Sequence, residues 1–397
     1  MGYRVGGIAA VAVTVLLAAL SGQARAGGEV VVRAGGEAAL APPMVTFELR
    51  RTNGRALAAE GDDMLGDLLA ALTGAAVLDT GASGTVLSGP TAARYDITLE
   101  RGARYVEVGM NGEHAMAVSR PYTLAVCEPN QRSGCRESLV LRSQRFLLNE
   151  PAGAVASASG GDLMALLASP GQATNVIGMP AIREAVVELR SVTQGTAPLA
   201  VEIHPRGARV SADHWITLDM VDFNRRRHPD NRGPLPSLAV NPLVPGVRVR
   251  AGAREARGDW LLDTGSVVTV LSSRLAREIG LVDGAGRPAR PADFGLPIGG
   301  ISGAQKNLPG FYVDRIEIDA DDGTTIVVEH PAVLVHDVTT TTDDGREHRL
   351  DGILGMNVLS PSGSGMMMTG FAKTYASAFD RVVIDAPRSR LGLSPAR

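Results

Sequence analysis

"AAVLDTGASGTVLS" spans Ala75 to Ser88, and "WLLDTGSVVTVLS" spans Trp260 to Ser272. In both, an apolar run ends in Asp-Thr-Gly, and a Thr-Val-Leu-Ser stretch follows. Short apolar, β-branched runs bounded by Gly and Ser read as buried strands. Superposing Asp79 on Asp263 aligns Thr80 with Thr264, Gly81 with Gly265, Thr85 with Thr269, and Val86-Leu87-Ser88 with Val270-Leu271-Ser272. Beyond them, "GPTAARYDI" falls on "SRLAREIGL", each read as one short helix. Further on, "VIGMPAI" (176–182) echoes "ILGMNVL" (353–359), each an apolar strand ending at Gly178 or Gly355 and followed by a short helical turn. Repetition of two motifs in the same order reads as an internal duplication.

Hairpins fill the space between the motifs. "RYVEVGMNGEHAMAV" alternates about Asn111-Gly112, a strong two-residue turn signal. "LPIGGISGAQKNLPGFYV" places Gly299, Gly300 and Gly303 in a loop ahead of a strand, and strands alternate around Asp322-Gly323. "VRVRAGAREARGDWLLD" reads as a strand pair leading to Asp263. The segment 199–222 reads as hairpin material, open to sharing between the halves, and 379–393 as a hairpin closing the second. "NRRRHPDNRGPLPSLAVNPLVPG" (224–246) has no clear period and reads as a linker. The expected organisation is 1–26 signal peptide, 27–223 first lobe, 224–246 linker and 247–397 second lobe.

Composition agrees with a β protein. The 397 residues are 45% apolar and only 4% aromatic, with 47 Gly and 23 Pro, a turn-rich mixture with room for more than one core. A net charge of −3 without a basic stripe leaves no footprint for nucleic acid. The start has one basic residue (Arg4), an apolar run from Ile8 to Leu20 and Ala24-Arg25-Ala26, the pattern of a secretory signal. The run is shorter than the roughly 20 residues of a membrane span. An uncleaved anchor is the alternative. Export to the periplasm or the exterior is expected, with no stable span after cleavage. In that oxidising setting the only two cysteines, Cys127 and Cys135, are expected to close a polar surface loop; two free thiols are the alternative.

A lone Asp-Thr-Gly is an ordinary turn, but a matched pair has chemical meaning. Two facing carboxylates cannot both ionise easily, so they share a proton. The charged one can act as base on a water while the protonated one donates to a substrate carbonyl. Thr80 and Thr264 are expected to link the loops through hydroxyl and backbone hydrogen bonds, and Gly81 and Gly265 to permit close approach. At the fourth position Ala82 stands opposite Ser266. A Ser266 hydroxyl donating to Asp263 would favour its charged form, so Asp263 is expected to hold the charge and Asp79 the proton.

The doubled apolar-Asp-Thr-Gly and apolar-apolar-Gly phrases resemble the pepsin/retropepsin superfamily of aspartic proteases, over most of the chain after residue 77. The resemblance implies a mainly β, two-lobed pepsin-like acid protease fold built from two retropepsin-like lobes, with Asp79 and Asp263 as catalytic dyad. "LPIGGISG" is similar to a retropepsin flap, so Gly299, Gly300, Ile301 and Gly303 would form a substrate-covering flap, with Gly109 and Gly112 as a weaker counterpart. A pepsin-like flap tyrosine is missing: Tyr105 precedes one turn and Tyr312 follows the other. The implied activity is an exported, monomeric aspartic endopeptidase acting on a peptide or protein substrate, without cofactor or metal. The alternative is a non-catalytic peptide-binding module that keeps the fold, and a narrower version processes one dedicated partner. His330, His336 and His348 match no metal-ligand spacing, "DADDGT" (319–324) reads as a hairpin turn rather than a calcium loop, and no Gly-x-Ser-x-Gly elbow supports a serine hydrolase.

Overall fold

In the computed structural model the described residues are 28–33, 36–39, 42–57, 74–109, 112–127, 135, 137–149, 174–191, 199–223, 228–299, 305–341, 347–360, 364–367, 371–374 and 378–396. The expected signal peptide lies outside them. They form a mainly β protein: sheets of eleven, nine and five strands, with two small ones beside them.

The duplication is visible in the order of strands. The nine-stranded sheet runs through Leu99–Gly109, Gly112–Ser119, Leu147–Asn149, Val86–Leu87, Asn175–Ile177, Ala75–Leu78, Met44–Arg50, Tyr122–Cys127 and Glu137–Gln144. The eleven-stranded sheet repeats that order with Phe294–Gly299, Gln305–Tyr312, Ala332–Val335, Thr269–Leu271, Gly352–Leu354, Arg254–Leu262, Asn241–Ala251, Arg315–Asp319 and Thr325–Glu329. At the centre of each, the strand ahead of Gly178 or Gly355 runs parallel to the Asp-bearing strand and antiparallel to the one after it. Those strands are buried on both faces, which is why they read as continuous apolar runs.

The helical readings hold locally. Gly89–Arg94 and Ser273–Glu278 are helices capped by Ser88 and Ser272, whose hydroxyls accept from Thr91 N and Leu275 N, each at 3.3 Å. Met179–Ile182 and Met356–Leu359 are single turns after the two glycines. A disulfide joins Cys127, at a strand end, to Cys135.

The sheets do not respect the linear order everywhere. Glu29–Arg33 adds to the eleven-stranded sheet, parallel to Thr325–Glu329, and Asp219–Val221 pairs with Asn241–Ala251 of the same sheet. The strand Asn241–Ala251 begins inside the expected linker. Segment 199–222 does not fold back on itself. Leu199–Pro205 pairs with Ala185–Ser191, whereas His214–Thr217 pairs with Arg390–Pro395. The tail hairpin, Phe379–Asp385 with Arg390–Pro395, therefore lies between strands of the first half and does not simply close the second. Three strands from the middle of the chain and two from its tail share this sheet, because each tail strand has an open edge that a strand of the first half satisfies. Among the described residues no helix is long and apolar enough to cross a membrane.

One pair of aligned positions shows how the copies diverged. In the first half Ala76 lies opposite Asn175, and in the second Trp260 lies opposite Gly352. A Cβ on Gly352 would sit 2.6 Å from the Trp260 ring, so the glycine makes room for the indole. Asn175 instead reaches along the strands, donating to Ala75 O and accepting from Ser88 N, each at 2.9 Å.

Candidate active site

The two Asp strands end at one place. Asp79 follows Ala75–Leu78 and Asp263 follows Arg254–Leu262, and their backbone N–H groups donate to Ile177 O and Leu354 O, each at 3.1 Å. The turn after each Asp bends back onto the next motif: Met179 N donates to Ala82 O at 2.9 Å, and Met356 N to Ser266 O at 2.8 Å. Gly178 and Gly355 are required there, because a Cβ would come within 2.2 Å of Gly84 O or 2.3 Å of Val268 O.

Thr80 and Thr264 interlock. Each backbone N–H donates to the other's Oγ1 at 3.1 Å. Thr80 Oγ1 donates to Leu262 O at 2.5 Å and Thr264 Oγ1 to Leu78 O at 2.6 Å. All four bonds are buried and join residues more than 180 positions apart. They bring the carboxyl groups of Asp79 and Asp263 within hydrogen-bonding reach of each other. Each carboxylate also accepts two backbone N–H bonds through Oδ1: Asp79 from Gly81 (2.7 Å) and Ala82 (3.0 Å), Asp263 from Gly265 (2.9 Å) and Ser266 (3.0 Å). A Cβ on Gly81 would stand 2.6 Å from the Asp263 carboxyl carbon, and one on Gly265 only 2.3 Å from that of Asp79.

Burial pushes both carboxyl groups up from their ordinary value. For Asp79 the hydrogen bond from Asp263 and the backbone N–H groups offset part of this. Asp263 is driven well above, by burial first and then by the negative charge of Asp79. The pair titrates as a unit and shares one proton. The expected placing of the charge on Asp263 is not supported. Its premise fails in the geometry: the Ser266 hydroxyl donates to Val268 O at 2.7 Å, bracing its own turn, and does not bond to the Asp263 carboxylate.

Two buried apolar clusters reach the Asp loops, one through Ala82 and the other through Val268. In the one, Val86, Val176 and Leu147 pack with Tyr105 and Met116 of the first hairpin. In the other, Val270, Ile353 and Leu334 pack with Leu296 and Leu308 of the second. In the first hairpin Gly109 pairs with Gly112 across a tip that lies outside the described residues. In the second, Gly299 pairs with Gln305, and Gly300, Ile301 and Gly303 lie outside the described residues. Tyr105 is buried in the first cluster, and Tyr312 O–H donates to Glu37 at 2.9 Å.

Sequence reading missed Asn241. It is fully buried and donates to Thr80 O and Gly81 O, each at 3.0 Å, while its Oδ1 accepts from Ser83 Oγ at 2.6 Å. An Asn in a Pro-rich stretch carries no local signal for this role. The segments that precede the outer strands also cross over. Ala239 N donates to Ser83 O beside the first Asp loop, and Ala39 N donates to the aligned Val267 O beside the second.

Among the described residues one group has metal-ligand chemistry, Glu188, Glu202 and His204 on the five-stranded sheet. Arg190 and Arg381 already pair with its carboxylates, so it reads as an ion-pair network. The chain matches no family model and no curated protein.

Proposed function

We propose that the chain is an aspartic endopeptidase of the pepsin/retropepsin kind, two-lobed and exported, hydrolysing peptide bonds in a peptide or protein substrate. The observation that carries this reading is the meeting of Asp79 and Asp263, each held by two N–H bonds and both tied together through Thr80 and Thr264. Structural turns alone have no need of two desolvated carboxyl groups in contact, a costly arrangement unless the pair shares a proton.

In the mechanism, Asp79 is the base and Asp263 the acid. Asp79 takes a proton from a water as its oxygen attacks the scissile carbonyl carbon. Asp263 gives its proton to the carbonyl oxygen, so the tetrahedral intermediate forms as a neutral diol. Its collapse breaks the C–N bond, with the proton on Asp79 passing to the leaving nitrogen and a diol proton returning to Asp263. The glycine-bearing hairpins 99–119 and 294–312 would cover an extended substrate, which would add as a strand.

The test is cleavage of denatured casein at acidic and neutral pH by the chain without residues 1–26, beside Asp79→Asn. Cleavage abolished by Asp79→Asn and by a pepstatin-type inhibitor is expected. Cleavage that survives the substitution or is stopped by chelators refutes the reading. An inert chain that binds peptides equally well with and without Asp79 points to a non-catalytic module.

A further inference from the structure

The two Asp loops are braced differently, and the difference lies at the edits between the copies. In the second loop the brace is internal, from Ser266 Oγ to Val268 O. In the first loop the aligned residue is Ala82, which has no hydroxyl. The first loop is held from outside instead, by Asn241 at the start of the strand Asn241–Ala251. Strand register aligns Leu243 with Met44, both paired at equivalent places on the Asp strands, and so aligns Asn241 with Pro42. Proline has no side-chain donor, and the residue aligned with Ser83 is Val267, which has no hydroxyl. The outside brace cannot be repeated on the second loop with these residues.

The bonds of Asn241 fall on particular groups. Thr80 C=O and Gly81 N–H belong to one peptide plane, and Gly81 C=O and Ala82 N–H to the next. In a trans peptide the carbonyl and the N–H point in opposite directions. The carbonyl ends of both planes accept from Asn241 Nδ2, and the N–H ends donate to Asp79 Oδ1. One side-chain amide thus fixes from behind both peptide groups that hold the carboxylate in front. Ser83 Oγ completes the set by donating to Asn241 Oδ1. Hydrogen-bonding a carbonyl also polarises the N–H across the same peptide, so the donors to Asp79 become stronger.

We propose that Asn241 is a positioning residue for Asp79, acting from the other half of the chain through the two peptide planes of the first Asp loop. This rests on the proteolytic reading above. Asn241 touches no reacting atom; it sets the aim and strength of the two N–H groups that favour a charged Asp79. Among the described residues the titratable group facing Asp79 is Asp263, and the other partners of its carboxylate are the backbone N–H groups of Gly81, Ala82 and Gly265.

The experiment compares pH–rate profiles for labelled denatured casein with wild type, Asn241→Ala and Asn241→Asp. Removing the brace weakens the donors to Asp79, so its carboxylate takes a proton more readily. The acid limb of kcat should move to higher pH by about half a unit in Asn241→Ala, with kcat down about tenfold and KM within about twofold. A purely structural role would lower the amount of active enzyme and leave the limb where it is. Asn241→Asp keeps the volume and stays informative if Asn241→Ala does not fold; protonated at acid pH it offers one donor where Asn241 offers two, so its acid limb should move the same way by a smaller amount. Acid limbs superimposable on wild type in the folded variants overturn the proposal while the protease reading stands. A wild-type chain that neither cleaves casein under any condition nor binds a pepstatin-type inhibitor removes both.

Discussion

Replacing Thr80 with valine keeps the side-chain shape and deletes one hydroxyl. That hydroxyl donates to Leu262 O at 2.5 Å and accepts from Thr264 N at 3.1 Å. Thr80, Thr264 and Leu262 are at most 1% exposed, so water cannot take over either bond. A buried polar group stripped of its partner costs about 1–3 kcal/mol, and two are stripped, so Thr80→Val should lose about 2–6 kcal/mol. Thr80→Ser keeps the hydroxyl and both bonds and gives up one methyl, worth about 1 kcal/mol. Urea unfolding followed by tryptophan fluorescence reads the difference, since Trp260 is fully buried two residues before Leu262. Thr80→Val should unfold at clearly lower urea than Thr80→Ser, and its casein cleavage should fall further than its folded fraction. The two variants within about 1 kcal/mol of each other would refute the claim that this interlock joins the loops.

Two further outcomes follow from the geometry. Asp263 has a raised pKa in the folded chain, so its protonated form favours folding; that stability is fully present below the ordinary carboxylate value of 3.8 and is lost as pH rises through the folded value. Asp263→Asn should therefore be more stable than wild type at neutral pH and inactive, with the advantage vanishing near pH 3.8; urea midpoints against pH check this, and a constant difference contradicts it. Gly352→Ala drives a Cβ to 2.6 Å from the Trp260 ring and should cost about 1–3 kcal/mol with a changed near-ultraviolet tryptophan spectrum; an unchanged spectrum and midpoint would show that the indole yields without cost.

The sequence carried what is local or repeated. Apolar runs before Asp79 and Asp263, the short helices after each, the hairpins at 99–119 and 294–312 and the Cys127–Cys135 pair were all legible because each signal sits within a few residues of its effect. What escaped depends on partners far along the chain. Leu199–Pro205 and His214–Thr217 look like a hairpin from their alternation, but each is taken by the open edge of a different strand. Alternation specifies a face and does not name a neighbour. Asn241 finds Ser83 across 158 positions, a distance over which no pattern in its own stretch gives warning. The expected bond from Ser266 to Asp263 was misjudged because a serine hydroxyl beside an aspartate has other acceptors in reach, and Val268 O takes it.

The crossing segments bear on how the two halves depend on each other. Ala39 reaches the second Asp loop, whereas Ala239 and Asn241 reach the first. Each loop is finished by residues whose own strand belongs to the opposite sheet or leads into it. Two fragments made by cutting the chain between the halves would each carry a complete Asp-Thr-Gly phrase, yet neither would carry all the parts that hold it. Mixed together, they should pair one first half with one second half. Two copies of the first half would bring Ser83 to a partner offering Pro42 in place of Asn241. The two halves of the duplicated chain are complementary and no longer interchangeable.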